Sequence, residues 1–156
     1  MKSRTASIPI MIFTTAELAE LASAGTATAH MGVTTTVVSQ CTVDAGTMQF
    51  GNYNTTTGAQ VDSEAALKVT CSKGTAASIT LGGDRTMKST DGHALGYKLY
   101  QDPQHAVPWG STAATAAQYV AQSSAPAELK VYGQILANQD VPAGDYNDEV
   151  VATINF

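Results

Sequence analysis

The chain has 156 residues, enough for one domain with a hydrophobic core and too few for two domains of ordinary size. Charged residues make up only 13% of it, about half the usual share, and the formal net charge is -5. The eight lysines and arginines are scattered singly and form no basic patch for phosphates. The composition therefore argues against a nucleic-acid partner and is typical of an extracellular β protein.

The first 24 residues carry the elements of an export signal. Two basic residues precede an apolar stretch at 8–13, and a small-residue cleavage site ends at Ala24. Glu17 and Glu20 interrupt the apolar part, so the leader departs from the usual pattern. We predict a signal peptide over residues 1–24, cleaved after Ala24, and no transmembrane helix in the rest of the chain.

The segment that follows the leader is long and extended, with one apolar face. At about 3.3 Å per residue, residues 26–38 would span roughly 40 Å. The segment could be the first strand of the protein's own sheet or a strand donated to another chain, and the pattern does not separate these readings. Its apolar face is formed by Ala27, Ala29, Met31, Val33 and Val37, with Thr35 as the exception.

The rest of the chain also alternates with a period of two, which predicts strands rather than helices. Short strands at this spacing, separated by turn signals, favour a β-sandwich. A short helix or a strand is expected near Tyr119. The predicted strands lie at 48–53, 65–71, 77–81, 85–88, 95–99, 129–135 and 150–156, with turns at Asp91-Gly92 and Pro142-Ala143-Gly144.

The last predicted strand runs to the end of the chain. Such a strand can pair within its own sheet, or it can offer an edge to an added strand of another chain. On pattern alone the two readings have equal weight. Its apolar face is formed by Val150, Ala152, Ile154 and Phe156.

The two cysteines, Cys41 and Cys71, lie in no C-x-x-C motif and among no histidines at ligand spacing. A single disulfide is the favoured interpretation, and two buried free thiols are the alternative. The disulfide would close a loop of about thirty residues and indicates an oxidising compartment.

No catalytic or metal-binding motif is present, so we predict no enzyme activity, no metal site, no cofactor and no small-molecule substrate. Asp84, Asp91 and Asp102 match no calcium-loop spacing and are ordinary turn residues. The three histidines have no motif beside them and are predicted to be solvated surface residues. They are His30, His93 and His105.

The aromatic residues leave one binding hypothesis open. Trp109 together with several tyrosines could form a platform for sugars, although such rings are more often core and rim residues of a sandwich. A small glycan-binding module is therefore one alternative function. The tyrosines concerned are Tyr97, Tyr100, Tyr119 and Tyr132.

Taken together, several short motifs resemble the spore coat U domain over residues 26–156. That family includes the major subunits of archaic chaperone-usher pili, in which an immunoglobulin-like sandwich lacks one strand and the N-terminal extension of the next subunit fills the gap. The motifs are Cys41-Thr42-Val43, MQFGN at 48–52, LKVTC at 67–71, RTM at 85–87, LGYKLYQD at 95–102, Trp109-Gly110, Val131-Tyr132-Gly133, PAGDYND at 142–148 and the segment 150–156.

This resemblance implies an all-β, incomplete immunoglobulin-like sandwich over residues 41–156, preceded by a donor-strand extension over residues 25–40. It implies a disulfide between Cys41 and Cys71. The apolar residues of the extension would be the donor residues, and the apolar face of the C-terminal strand would pair with a periplasmic chaperone.

The function that the resemblance implies is a structural subunit of a pilus, or fimbria, assembled by donor-strand exchange. Its partners would be copies of itself or related pilins, a periplasmic chaperone and an outer-membrane usher. Such a subunit is secreted through the periplasm to the cell surface, where the fibre supports adhesion and biofilm formation. A secreted spore or cell coat protein is the alternative within the same fold.

Overall fold

The computed structural model describes residues 24–156, and the chain divides into a unit that ends at Thr35 and a unit that begins at Thr36. The predicted signal peptide lies outside the described residues except for Ala24. No helix in the described part of the chain is long and apolar enough to cross a membrane.

The described part of the first unit, residues 24–35, contains no helix and no strand. All of its side chains are exposed, including the two largest apolar ones, Met31 at 87% and Val33 at 86%.

The second unit is all-β apart from one short 3-10 helix, which confirms the predicted fold class. The strands are β1 (Cys41–Ala45), β2 (Val61–Cys71), β3 (Ala76–Leu81), β4 (Thr86–Lys88), β5 (Ala94–Tyr100), β6 (Ala117–Val120), β7 (Ala127–Ile135) and β8 (Ala152–Asn155), and the 3-10 helix is Ala113–Thr115. The strands form two antiparallel sheets, one with the order β1-β2-β7-β5-β4 and one with the order β6-β3-β8.

The core lies between the two sheets and is built by alternate residues of the strands. Ile79 and Leu81 of β3 face Leu67 and Val69 of β2 and the inner residues of β5 and β7. Full burial of each such side chain stabilises the fold by roughly 1.5–3 kcal/mol. The alternation that predicted the strands is therefore the alternation between core and solvent.

Two sequence predictions need correction. Residues 48–53 form no strand, because Gly51 takes a left-handed φ of 71° that interrupts an extended strand. Met48 and Phe50 are partly buried and Gln49 is exposed, so the side chains alternate without pairing of the backbone. Strand β2 begins at Val61, four residues before the predicted start, and the connection from β1 to β2 covers residues 46–60.

Tyr119 lies in strand β6, one of the two elements expected there, and the 3-10 helix precedes that strand. The hairpin of β4 and β5 turns at Asp91-Gly92, where Gly92 has a φ of 84°, as the turn signal predicted. Ala143 and Gly144 form a bend between β7 and β8.

The predicted disulfide joins Cys41 and Cys71, so both cysteines of the sequence are paired. The two residues lie directly opposite each other in the β1–β2 ladder, with their Cα atoms 4.1 Å apart. The bond therefore fixes β1 to the end of β2 and closes a loop with a sequence separation of 30.

We expect the double change Cys41→Ser with Cys71→Ser to lower the free energy of unfolding by about 3–4 kcal/mol, because the unfolded chain regains the freedom of that loop. Urea denaturation of the wild-type and variant chains measures this difference. Wild-type protein unfolded in the presence of a reductant is the control and should match the variant. An unchanged midpoint would contradict the prediction.

The segment 46–53 packs over Gly133 of β7, where the absence of a side chain leaves room for it. A Cβ atom at Gly133 would come within 2.7 Å of Cζ of Phe50 and closer still to Sδ of Met48. Both side chains pack against the core from this position. The glycine therefore allows the two side chains to close one end of the sandwich.

We expect Gly133→Val to lower the free energy of unfolding by about 1–3 kcal/mol, because Met48 and Phe50 must move out of their packed positions. Gly144→Ala is the matched control, since a Cβ atom there meets nothing within 4 Å. Urea denaturation measures both changes. Equal midpoints for the two variants would show that the contact at Gly133 does not limit stability.

Candidate strand-acceptor cleft

The candidate site is a gap between the two sheets, bordered by one edge strand of each. Strand β1 is the edge of the five-stranded sheet and β8 is the edge of the three-stranded sheet, and the two strands are neighbours in space. Within residues 36–156, β1 pairs only with β2 and β8 pairs only with β3. Each strand therefore has one free edge.

The free edge of β8 carries the backbone groups of Ala152 and Ile154. The N–H of Gly82 donates to the carbonyl of Val151 over 2.8 Å, and the register places Thr153 and Asn155 at the next hydrogen-bonded positions. Since antiparallel pairs alternate, the residues between them point their N–H and C=O groups away from β3. The side chains of these same two residues face inward and are partly buried.

The free edge of β1 follows from the same alternation. The N–H of Ser72 donates to the carbonyl of Gln40 over 2.8 Å, and the N–H of Gly46 donates to the carbonyl of Ala66 over 3.0 Å. The residues at odd positions between them point their backbone groups away from β2. The gap is thus bordered on both sides by unpaired backbone donors and acceptors, those on the β1 side belonging to Cys41, Val43 and Ala45.

A cleft of about 350 Å³ opens into this gap, where the end of β1 and the segment leading into β8 come together. Core side chains of both sheets form its lining, among them Leu67, Leu81, Leu99 and Val131, while Val150 and Ala152 lie along its rim. The ring of Phe50 packs at 5.9 Å from that of Tyr97 in the same lining. The cleft is an opening into the hydrophobic core.

A hydrogen-bonded pair of polar side chains, Tyr97 and Asp148, lies in the lining of the cleft near the start of β8. The hydroxyl of Tyr97 donates to Oδ2 of Asp148 over 2.6 Å, and the N–H of Glu149 donates to Oδ1 of the same carboxylate over 2.9 Å. Burial of the phenol, together with the hydrogen bond and negative charge of Asp148, raises the pKa of Tyr97 well above its usual value. Arg85 opposes this rise, and it donates to the carbonyl of Gly82 over 3.0 Å.

The residues of the predicted C-terminal face differ in their environments. Val150, Ala152 and Ile154 are partly buried and pack against the core. Phe156 lies beyond the last residue of β8 and is 58% exposed, as is Val151 on the opposite face. The inward face thus extends to Ile154, and Phe156 is an apolar side chain open to solvent.

The predicted donor residues lie in the part of the chain that forms no strand. Ala27, Ala29, Met31 and Val33 belong to the first unit. Val37 belongs to the second unit and is 86% exposed. Just beyond it, Ser72 Oγ donates to the carbonyl of Val38 and accepts from the N–H of Gln40, which ties residues 38–40 to the end of β2.

The aromatic platform suggested by the sequence is not formed. Trp109 is only 2% exposed, and its indole N–H donates to the carbonyl of Ile79 over 2.8 Å. Tyr97 and Tyr100 are also buried, at 5% and 8% exposure. A sugar could not stack on these rings, so the glycan-binding hypothesis loses the surface on which it was based.

Two of the three histidines are exposed, as predicted. His30 and His93 are exposed, but His105 is half-buried, with its ring 4.9 Å from that of Tyr100 and its Nδ1 3.1 Å from Nε2 of Gln134. Asp102 accepts from the N–H groups of Ala106 and Val107, which is turn chemistry, and the first of these bonds contributes most to the lowered pKa of its carboxyl. Residues 24–156 contain no cluster of side chains suited to a metal ion.

Sequence reasoning did not identify Asp148 as part of the cleft. The residue was noted within the 142–148 motif only, because its partner Tyr97 lies 51 residues away and no pattern links the two. The free edge of β1 was also missed.

Two antiparallel sheets with unpaired edges facing one apolar gap define an immunoglobulin-like sandwich that is open at one side. The family model of the Spore Coat Protein U domain matches residues 27–153. The chain is also 33% identical, over 177 aligned positions, to Protein U of Myxococcus xanthus, covering 97% of this chain and 94% of that protein. The chain belongs to the spore coat protein U domain family.

A solved structure shares the fold. It is the CsuC-CsuE chaperone-tip adhesion subunit pre-assembly complex from archaic chaperone-usher Csu pili of Acinetobacter baumannii, which matches with a TM-score of 0.57 and 22% identity. The match covers 78% of this chain and 41% of the matched chain, so this chain spans less than half of that protein's length. At this identity the likeness shows the fold.

We expect the stability of the domain to fall as the pH rises above about 10, the pKa of an unperturbed tyrosine. Unfolded chains lose the Tyr97 proton there, whereas the folded chain keeps it, because the folded pKa is raised. The contribution is fully present below pH 10 and is lost progressively above it. Urea denaturation between pH 8 and 11 should show a smaller decline for Tyr97→Phe than for wild type.

Tyr132→Phe is the control for the loss of a phenol, since Tyr132 lies on the other face of the five-stranded sheet, opposite Glu64. It should retain the wild-type decline. If Tyr97→Phe and the wild type decline equally, the Tyr97–Asp148 contact is not the origin of the effect.

Proposed function

We propose that the protein is a non-enzymatic structural subunit of a secreted surface fibre, in which each copy donates its N-terminal segment to the cleft of the next. The observation that carries the proposal is the pair of free strand edges, β1 and β8, facing each other across an opening into the core. This arrangement accepts one added strand.

An added strand would meet two needs of the cleft at once. Its backbone would pair with the free groups of Ala152 and Ile154 along β8. Its alternate side chains would cover the apolar lining. A compact small molecule could fill part of the volume but could not pair a row of evenly spaced backbone groups.

The first unit has the properties that such a donor requires. Its apolar residues recur at every second position from Ala27 to Val33, and its side chains are exposed. Residues 24–35 form no strand and remain available for pairing. The segment alternates as a strand does, although it forms none in the single chain.

A subunit with an open core needs protection before assembly. In our proposal a periplasmic chaperone supplies a temporary strand to the same free edge of β8, and an outer-membrane usher then replaces it with the donor of another copy. The shared fold with a chaperone-bound pilus subunit complex supports a chaperone as partner. The apolar face at Val150, Ala152 and Ile154 would be the surface that the chaperone covers.

The proposed route passes through the periplasm to the cell surface. The disulfide between Cys41 and Cys71 supports an oxidising compartment. The fibre would act in adhesion and biofilm formation, by contacts between its subunits and other surfaces, without cofactor or catalysis.

A coat around spores or cells is a second candidate, favoured by the likeness to Protein U over nearly the whole of both chains. The donor and acceptor surfaces would be the same, and the difference would lie in where the assembled chains are retained. Electron microscopy of cells that express the protein separates a fibre from a coat.

Periplasmic co-expression of the full chain with a chaperone and usher of the archaic class should yield multimers that survive detergent at room temperature and dissociate on boiling. Deletion of residues 25–38 should abolish them, because the cleft then has no donor. Gel electrophoresis of unboiled and boiled samples measures the result.

Met31→Asp and Thr34→Asp form a matched pair, since they place the same charge on the two opposite faces of the proposed donor. The change at Met31 should abolish multimers, and the change at Thr34 should leave most of them, because burial of an unpaired charge is costly. Monomers in wild type, or multimers unaffected by the deletion, would overturn the proposed function.

A further inference from the structure

The structure also constrains how a donor would lie on β8. We infer that the first unit of a second copy lies antiparallel to β8 with Met31 directly opposite Ala152, which places Thr35 opposite Asp148. This inference rests on the proposed function and adds the register and the contact that fixes the register.

The face of the donor follows from the backbone of β8. Its free N–H and C=O groups belong to Ala152 and Ile154, whose side chains also face inward. In an antiparallel ladder, directly opposite residues exchange both hydrogen bonds and point their side chains to the same face. The inward donor residues, at odd positions 27–35, therefore lie opposite the even positions of β8 and of the segment before it.

Once Thr35 lies opposite Asp148, the direction follows from where the first unit of the donor ends. If the donor ran parallel to β8 from Thr35 at Asp148, the residues facing Val150 and Ala152 would be Val37 and Ser39. These lie in the second unit of the donating copy, and residues 38–40 are held there by Ser72. The antiparallel direction places only residues of the first unit beside β8.

The polar position of the donor fixes the register. Its inward face is apolar except at Thr35. The inward row of the acceptor is apolar except at Asp148, whose carboxylate lines the cleft and accepts from the hydroxyl of Tyr97. That carboxylate has lone pairs left after its two bonds, so the Thr35 hydroxyl can donate to it. A hydrogen bond to a charged acceptor is stronger than one between neutral groups.

The sizes of the apolar side chains agree with the same register. The largest donor side chain, Met31, lies opposite the smallest acceptor side chain, Ala152. Alternation of large and small residues across facing positions is what close packing requires. The other opposed pairs are Ala29 with Ile154, Ala27 with Phe156, and Val33 with Val150.

The neighbouring registers match poorly. A shift by two residues in one direction places Val33 against the carboxylate of Asp148 and Ala29 against Ala152, which leaves a void beside a desolvated charge. The opposite shift places Val37 against that carboxylate and Thr35 against Val150. Shifts by one residue turn the apolar face outward.

Cysteine pairs introduced into the full chain test the register. Directly opposite residues of a hydrogen-bonded pair have Cα atoms about 5.5 Å apart, within the range of a disulfide, whereas diagonal neighbours lie at about 7–8 Å. The variant M31C with A152C should form a ladder of covalent multimers on boiled, non-reducing gels. The variant M31C with I154C, shifted by two residues, should form at least tenfold less.

A size exchange tests the same contact without new cysteines. Met31→Ala and Ala152→Met should each shorten the lifetime of the multimers in detergent by at least about tenfold, and the double variant should restore most of it. Thr35→Val should also shorten the lifetime, whereas Thr35→Ser, which keeps the hydroxyl, should not.

The outcomes separate the register from the proposed function. The register is overturned if multimers crosslink through positions 31 and 154, or through neither cysteine pair, and the double size exchange restores no lifetime. The proposed function would still stand in that case. A crosslinked monomer overturns donation between copies. If wild-type chains form no multimers, the proposed function and this inference fail together.

Discussion

The row of unpaired backbone groups along β8 is the feature on which the rest of the structure depends. An apolar opening alone could close by a small rearrangement of side chains, but free N–H and C=O groups at Ala152 and Ile154 need water or another strand. Water can bond to these backbone groups only if it also stays in contact with the apolar side chains at the rim of the cleft. An added strand bonds to the free backbone groups and covers the apolar lining at the same time, so both contributions favour the same ligand.

The backbone groups of β3 that point away from β8 are bonded to other parts of the domain, so the free edge of this pair of strands is that of β8. The carbonyl of Ile79 accepts from the buried indole of Trp109, and the N–H of Leu81 donates to the carbonyl of Gly110. The disulfide holds β1 on β2 at the far border of the gap.

Much of the fold could be predicted from the sequence because each strand buries one face, and a period of two is then visible in the residues. The same pattern gave a wrong prediction at 48–53. There Met48 and Phe50 alternate with exposed residues and pack over Gly133, but their backbone pairs with no strand. Alternation reports which side chains are buried and not which backbones are bonded. For that reason the free edges, and the contact of Tyr97 with Asp148, required the structure.

Small residues in a donor segment are weak pocket fillers, which at first argues against residues such as Ala27 and Ala29. The structure of the acceptor answers this objection for Ala29, because the inward position opposite it in the inferred register carries the larger Ile154. A slip by two residues preserves the buried face of any strand, so face alone cannot specify register. The register is therefore selected by the two donor residues that are not small and apolar, Met31 and Thr35. In the inferred register these two residues lie opposite Ala152 and Asp148.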